Sequence, residues 1–301
     1  MKTRIAPIAA VALTVLAVAA PARATYPGRN GRIAFDQVAG KQLFTMRPDG
    51  SRVRKLTHEA GQNHQQASYS ADGRRVVYQE GRATFARIAV ARANGTHVRV
   101  LNQNGRNPVF SPGAKRIAFD NQVQILSMAS DGSGLEQLTP LGGGNLDLAP
   151  TYSPDGSRIL FSCIVNARAD LCSMAPDGSD RQTLFASDTE SVGEPNFAPD
   201  GRKALVTVDG AGLRAIATIG VGHANLHVIR NFAPSGRALA GRAMFSPNGR
   251  RIAMTLKPSA HSRETDVYVM RADGTHLRRL THAGGPRTST ALDDWQPLPK
   301  H

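Results

Sequence analysis

The sequence predicts an all-β fold: a six-bladed β-propeller of four-stranded antiparallel blades, closed by pairing the C-terminal strand with the N-terminal blade. Three observations carry this reading. A turn pattern recurs at residues 69–73 (Tyr-Ser-Ala-Asp-Gly), 110–114 (Phe-Ser-Pro-Gly-Ala), 152–156 (Tyr-Ser-Pro-Asp-Gly), 197–201 (Phe-Ala-Pro-Asp-Gly) and 245–249 (Phe-Ser-Pro-Asn-Gly), with its aromatics 41, 42, 45 and 48 residues apart. A second turn recurs at Asp49-Gly50, Asn94-Gly95, Asp131-Gly132, Asp177-Gly178 and Asp273-Gly274. Finally, the first unit starts in the middle of the pattern, and the end of the chain holds the missing piece.

Each unit then resolves into four strands. The first turn leads into an apolar run such as Arg-Ile-Ala-Phe (116–119) or Arg-Ile-Leu-Phe (158–161). A short strand precedes the second turn, as in Ile-Leu-Ser-Met (125–128), and another follows it, ending in Leu-Thr at 56–57, 138–139 and 280–281. Asp-Gly and Asn-Gly between strand formers mark hairpins because both residues tolerate positive φ. Units of this length match four-stranded propeller blades. Unit one has the turn and second strand at 30–35 (Asn-Gly-Arg-Ile-Ala-Phe) but no aromatic strand before them; Asp-Trp-Gln-Pro at 294–297 supplies it, 50 residues after Phe245. Joining the two closes the ring and removes an open sheet edge. The fifth unit is degraded. Its second turn falls near residues 219–223 (Ile-Gly-Val-Gly-His), without Asp-Gly, and residues 231–236 read as a decorated connecting loop.

Residues 1–24 read as a signal peptide and 25–301 as one propeller domain. Lys2 and Arg4 form a basic start, residues 5–20 are apolar apart from Thr14, and Ala22-Arg23-Ala24 places small residues where a signal peptidase cuts. The apolar run is too short to span a bilayer, and no later segment is apolar enough. The mature chain is therefore expected outside the cytoplasm, periplasmic or extracellular.

Composition narrows the function classes. The chain is 41% hydrophobic and 20% charged, enough apolar content for a core. Two cysteines exclude a disulfide-stapled miniprotein and any Cys-rich metal module. One Trp argues against a Trp-walled carbohydrate cleft. Lys and Arg total 37 against 23 Asp and Glu, but Arg74, Arg75, Arg116, Arg158, Arg202, Arg250 and Arg251 all follow the first turn, which spreads charge around a rim and reads as solubility. No specific nucleic-acid partner is expected.

The units resemble the WD40-like repeats of TolB-type propellers, whose pattern runs Pro-x-aromatic-Ser-Pro-Asp-Gly, Ile-Ala-Phe, Asp-Gly, Leu-Thr. The best match is 150–156 (Pro-Thr-Tyr-Ser-Pro-Asp-Gly) through 159–161 to Asp177-Gly178. The copies cover residues 29–297, so the resemblance implies the fold for nearly the whole mature chain. TolB carries an α/β domain ahead of its propeller, with an N-terminal segment that engages a partner; here the first repeat follows Tyr26 directly, so that interaction is not implied. Related propellers fused to serine peptidases need a Gly-x-Ser-x-Gly elbow, and no such pentapeptide occurs.

Position in the repeat separates framework from candidate function. Asp49, Asp131, Asp177 and Asp273 share one position and Asp72, Asp155 and Asp200 another, so they build turns. Met46, Met128, Met174 and Met270 share a core position. His97 and His276, and His58 and His282, are likewise equivalent. His223 and His227 are four apart on a strand and could hold a metal only with a third ligand; no metal or cofactor is expected. The residues that vary between blades are Gln66, Asn107, Asp147, Glu194, Arg242, Asp293 and Asp294, just before the aromatics. They are the candidate binding residues at a channel mouth, where propeller ligands sit. Cys163 and Cys172, in one unit with eight residues between them, are expected to form a disulfide across a hairpin symmetric about Arg168. The leading functional expectation is a monomeric, exported, non-catalytic scaffold that binds a protein or cell-envelope polymer. The alternative is a carbohydrate-active enzyme, either a glycoside hydrolase or a metal-dependent polysaccharide lyase, with a site gathered from several blades such as Glu194, Asp294 and His227.

Overall fold

The computed structural model describes residues 25–37, 42–59, 61–82, 85–141, 145–259, 261–282 and 289–299. The proposed signal peptide lies outside them; no helix among the described residues is long and apolar enough to cross a membrane. The strands form six four-stranded antiparallel sheets. Their innermost strands are Thr290–Leu298 (blade 1), His64–Tyr69 (blade 2), Arg106–Phe110 (blade 3), Leu146–Tyr152 (blade 4), Glu190–Phe197 (blade 5) and Ala238–Phe245 (blade 6). In blade 1 that strand pairs with Arg29–Gln37, placing Ile33 opposite Trp295 and Ala34 opposite Asp294. The ring is closed as the split first unit predicts. Trp295 is buried and donates its indole Nε1–H to Gly31 O, and Gln296 Nε2 donates to Gly73 O at 2.8 Å, carrying the closure on to blade 2.

The core is a ring of wedges between blades. Six apolar clusters of described residues each join two neighbouring blades. The repeat aromatics Tyr69, Phe110, Tyr152, Phe197, Phe245 and Trp295 are all buried in these wedges or at their inner edge, as are the four equivalent methionines. Burying such side chains away from water supplies the main favourable term for the ring.

Each motif residue has a mechanical role. In the second turns, Oδ1 of Asp49, Asp131, Asp177 and Asp273 accepts from the backbone N–H and hydroxyl of the residue two further on. These hydrogen bonds hold the four carboxyls below their usual pKa. The glycine that follows is pressed against the preceding blade: a Cβ on Gly95, at φ +84°, would meet Leu56 O at 2.0 Å. In the Leu-Thr pairs, Leu56, Leu138 and Leu280 are buried, while the hydroxyls of Thr57, Thr139 and Thr281 accept from the N–H of Leu43, Ile125 and Val267. The arginines after the first turn do more than solubilise. Arg116 and Arg158 donate to the buried hydroxyls of Ser127 and Ser173 on the third strand, and Arg32 to Thr45 in the same way.

Blade 5 departs where the repeat is degraded. Leu213–Gly220 and His223–Asn231 meet at a tight turn on Val221 and Gly222. A 3₁₀ turn, Ala233–Ser235, then decorates the crossover to blade 6, anchored by the buried Phe232. Cys163 and Cys172 are joined in a disulfide. The hairpin is not symmetric about Arg168, however. Val165 pairs with Arg168, so the turn falls on Asn166 and Ala167, and both adopt positive φ. The cysteines are diagonal neighbours, opposite Asp170 and Phe161, with Cα atoms 5.8 Å apart, within disulfide reach.

Two outcomes follow. Deleting residues 289–301 removes the innermost strand of blade 1 and should abolish cooperative thermal unfolding; an unchanged melting curve would exclude closure through this strand. Thiol titration of the aerobically purified, denatured protein should find no free thiol, and Cys163→Ser with Cys172→Ser should cost no more than about 3 kcal/mol for so short a loop.

Candidate functional site at the channel mouth

The blades meet at the channel through a defect built into every innermost strand. Register shifts lie at residues 65–68, 106–109, 148–151, 193–196, 239–243 and 292–294. At four of these bulges Gln66, Asn107, Ala149 and Glu194 adopt φ of 55°, 48°, 54° and 52°. Proline follows directly at 108, 150 and 195. Proline has no N–H to give a ladder, and a bulge is where a strand can hold one. The repeat's Pro-x-aromatic signature is therefore the mark of the bulge.

The bulge turns a backbone N–H towards the preceding blade. Ala149 N donates to Asp120 Oδ2, Glu194 N to Ser162 Oγ and Leu292 N to Thr255 Oγ1, each acceptor standing on the second strand of the neighbouring blade. At two further joints the acceptor is on the innermost strand: Ala67 N donates to Asp293 Oδ1 and Asn107 N to Gln66 Oε1. At the joint of blades 5 and 6 an ion pair takes this place, with Arg242 Nε 3.7 Å from Glu194 Oε2.

Six of the seven sequence-selected residues thus stand in the belt around the channel. Arg242 is its centre. From blade 6 it reaches Glu194 on blade 5, Asp293 O on blade 1 and, through Nη2 at 3.1 Å, Asn107 Oδ1 on blade 3 across the ring. Asp147 is directed elsewhere: its carboxylate takes both Nη groups of Arg181, and that guanidinium lies over the Phe161 ring. Below Arg242 the channel narrows to a cavity of about 40 Å³, lined by Glu194, Arg242 and Asp294 among others. Tyr26, from the segment before the first strand, reaches into it and donates its hydroxyl to Phe110 O.

Burial makes the blade 1 carboxyls unusual. Asp36 is pushed up to about 7 by desolvation, and Asp294 to about 6 by the same cause, moderated by hydrogen bonds from the Tyr69 and Trp295 N–H groups. Asp293 is raised well above the ordinary range, first by burial and then by the Asp36 charge, against the pull of Arg242. Its Oδ2 has no hydrogen-bond partner.

The residues offered for a dispersed enzymatic site do not converge. Glu194 and Asp294 line the channel cavity, whereas His227 lines a separate cleft of about 1250 Å³ at blades 5 and 6. That cleft also carries Arg29, Lys203 and Arg250.

The two faces of the ring differ in kind. One holds the Asp-Gly and Asn-Gly hairpins; the other holds the non-repeating loops and the start of every innermost strand. On the hairpin face the exposed apolar residues Val53, Val98 and Leu135 each sit three residues after a turn glycine, a repeat position. On the loop face Phe85, Val123, Leu141 and Val165 are exposed on blades 2 to 4 at non-equivalent positions, Phe85 by 80% and Leu141 by 66%. By residue type nothing in the sequence separates these four from core residues, since an apolar side chain does not announce its exposure. Their lack of repeat equivalence was the available signal. Beside the mouth on blades 5 and 6 lies a cleft of about 530 Å³ that includes Glu194, Arg214 and Lys257.

A closed ring of six four-stranded blades, welded at a polar belt, defines the propeller class. The chain belongs to the TolB beta propeller domain family, which matches residues 17–192, more than half its length. Over 113 residues it is 34% identical to the Tol-Pal system protein TolB of Anaeromyxobacter dehalogenans strain 2CP-C, covering 37% of this chain and 24% of that protein. Over 111 residues it is 30% identical to dipeptidyl-peptidase 5 of Porphyromonas endodontalis, covering 36% of this chain and 16% of that one. The chain therefore matches a quarter or less of either relative's length. Among solved structures it is similar to TolB from Acinetobacter baumannii, with a TM-score of 0.72 at 16% identity over 89% of this chain and 67% of that one.

The raised carboxyls give a signed pH dependence. Between the unfolded value near 3.8 and the folded value near 7, the native state binds more protons than the unfolded chain, so this contribution to stability falls as pH rises. Asp36→Asn should melt with wild type near pH 4 and above it at pH 8. We expect a gain of roughly 1–2 kcal/mol, a few °C by differential scanning calorimetry. A gain that is the same at both pH values would show that Asp36 is not the titrating group.

Proposed function

We propose that this propeller is an exported, non-catalytic scaffold that docks a protein at the loop-face channel mouth. The observation that carries the reading is the exposure of Phe85, Val123, Leu141 and Val165 on the loop-face segments of blades 2 to 4. Exposed apolar side chains grouped on one face and edged by polar groups suit a protein contact. The channel itself suits a ligand poorly. Arg242 crosses it, and Gln66, Asn107, Asp293 and Asp294 are engaged with neighbouring blades. These residues form the floor of the mouth rather than its contact surface. Glu194, about 40% exposed, and Lys257 remain to give a partner polar contacts at the rim. Export through residues 1–24 and periplasmic or extracellular residence form part of the same proposal.

The test is capture from the native cell envelope with three proteins: wild type, the loop-face double variant Phe85→Glu with Leu141→Glu, and the hairpin-face variant Val53→Glu. All three substituted side chains are exposed, so folding should be unaffected. The loop-face variant should lose at least tenfold of the captured partner, and Val53→Glu should retain it. Equal capture by all three would remove the loop face as the docking surface.

A further inference from the structure

We propose that Glu59, His64 and Glu80 form a binding site for a divalent transition-metal ion, with zinc the best fit, at the junction of blades 1 and 2. The three come from separate pieces of chain. Glu59 lies in the crossover from blade 1 to blade 2, and His64 opens the innermost strand of blade 2. Glu80 stands directly opposite His64 on the second strand. Each offers one ligand atom, and these atoms lie within 4.8 Å of one another. His64 and Glu80 are buried, and Glu59 is exposed.

The independent observation at this cluster is the state of Glu80. Its Oε1 accepts from Arg87 at 3.0 Å, while Oε2 is buried with no hydrogen-bond partner. A second carboxylate, that of Glu59, is brought to within 4.8 Å of it. A buried carboxylate oxygen left unpaired is costly. A bound cation would satisfy it and offset the repulsion between the two acids. One imidazole with two carboxylate oxygens suits zinc and its neighbours, whereas calcium and magnesium prefer oxygen donors alone. Around a tetrahedral zinc with ligands at about 2.1 Å, donor atoms stand about 3.4 Å apart. Separations of up to 4.8 Å must therefore contract by up to about 1.4 Å, and the exposed Glu59 is the member free to move. Three protein ligands leave one position for water or for a group from a docked partner.

The surroundings hold the ligands in place. Gln42 of blade 1 donates through Nε2 to the backbone carbonyls of Glu59 and Gln62, and its Oε1 accepts from Thr57 Oγ1. The crossover is thereby fixed to blade 1. The His64 ring packs edge-on against Tyr78, with centroids 5.6 Å apart. A metal here would clasp the crossover to two strands of blade 2, stiffening the loop-face joint beside Phe85. The site stands independently of the partner reading, since its ligands and its readout involve no partner.

Titrating EDTA-stripped wild type with zinc chloride by isothermal calorimetry should give one site of micromolar affinity or tighter, together with a zinc-dependent rise in Tm. Glu59→Gln and Glu80→Gln should each weaken binding at least tenfold and abolish the rise, while His282→Ala, outside the cluster, should change neither. Glu59 is exposed, so Glu59→Gln decides the question even if Glu80→Gln fails to fold. Absence of binding at 100-fold excess zinc would overturn the proposal, and so would unchanged affinity in Glu59→Gln.

Discussion

The structure depends on how neighbouring blades are tied at the channel. Each sheet twists away from its neighbour, so the blades are nearest at their innermost strands and the joint must be made there. Each innermost strand is an edge strand, and regular geometry would aim its unpaired N–H groups into the channel, in the plane of its own sheet, rather than at the next blade. The bulge frees one N–H per blade and turns it outwards, where a side chain of the preceding blade accepts it. Five joints use this device and the sixth uses the Glu194–Arg242 pair. Closure by the strand Thr290–Leu298 matters for the same reason: it contributes both Asp293 and Leu292 to two of these welds.

Most of the fold was legible because the repeat writes its mechanics into residue types. Asp-Gly gives a hairpin and an Asx hydrogen bond; Leu-Thr gives a core side chain and a hydroxyl acceptor for the third strand. The split first unit identified the closing strand through Trp295 alone. Less was legible where geometry is set by one residue of register. The hairpin between the cysteines turns on Asn166 and Ala167; Asn suits a positive φ, but Ala167 stands where the other turns carry Gly. Because a shift of register moves every cross-strand partner, the cysteines meet on the diagonal rather than face to face.

The candidate site was legible in place but not in role. The residues that vary between blades stand on the innermost strands, and six of the seven lie in the belt around the channel. What variation could not separate was contact with a ligand from contact with the next blade. Gln66 and Asp293 vary because each joint finds its own acceptor, with a carboxylate, an amide or a hydroxyl doing the same work, and the Asn107 side chain answers Arg242 and Asp120. Asp147 varies because it answers a single arginine, Arg181. Single-residue variation at a symmetric joint is therefore compatible with a wholly structural role.

The same logic locates function on one face. A side chain at a repeat position is presented several times around a ring, and its geometry is dictated by the blade it belongs to. Val53, Val98 and Leu135 are of this kind, as are the turn aspartates. The loop face escapes this constraint, since the connections there vary in length and composition while the strands beneath them stay fixed. Phe85, with four-fifths of its surface exposed, has no packing reason to be aromatic. Glu80 is buried although its blade would tolerate an apolar residue, as Val208 and Leu256 show at the corresponding positions of blades 5 and 6. An exposed aromatic and a buried acid, five residues apart on one loop-face hairpin, both run against the stability of the isolated chain. Both become favourable once something binds there: an apolar partner surface covers the first, and a cation neutralises the second.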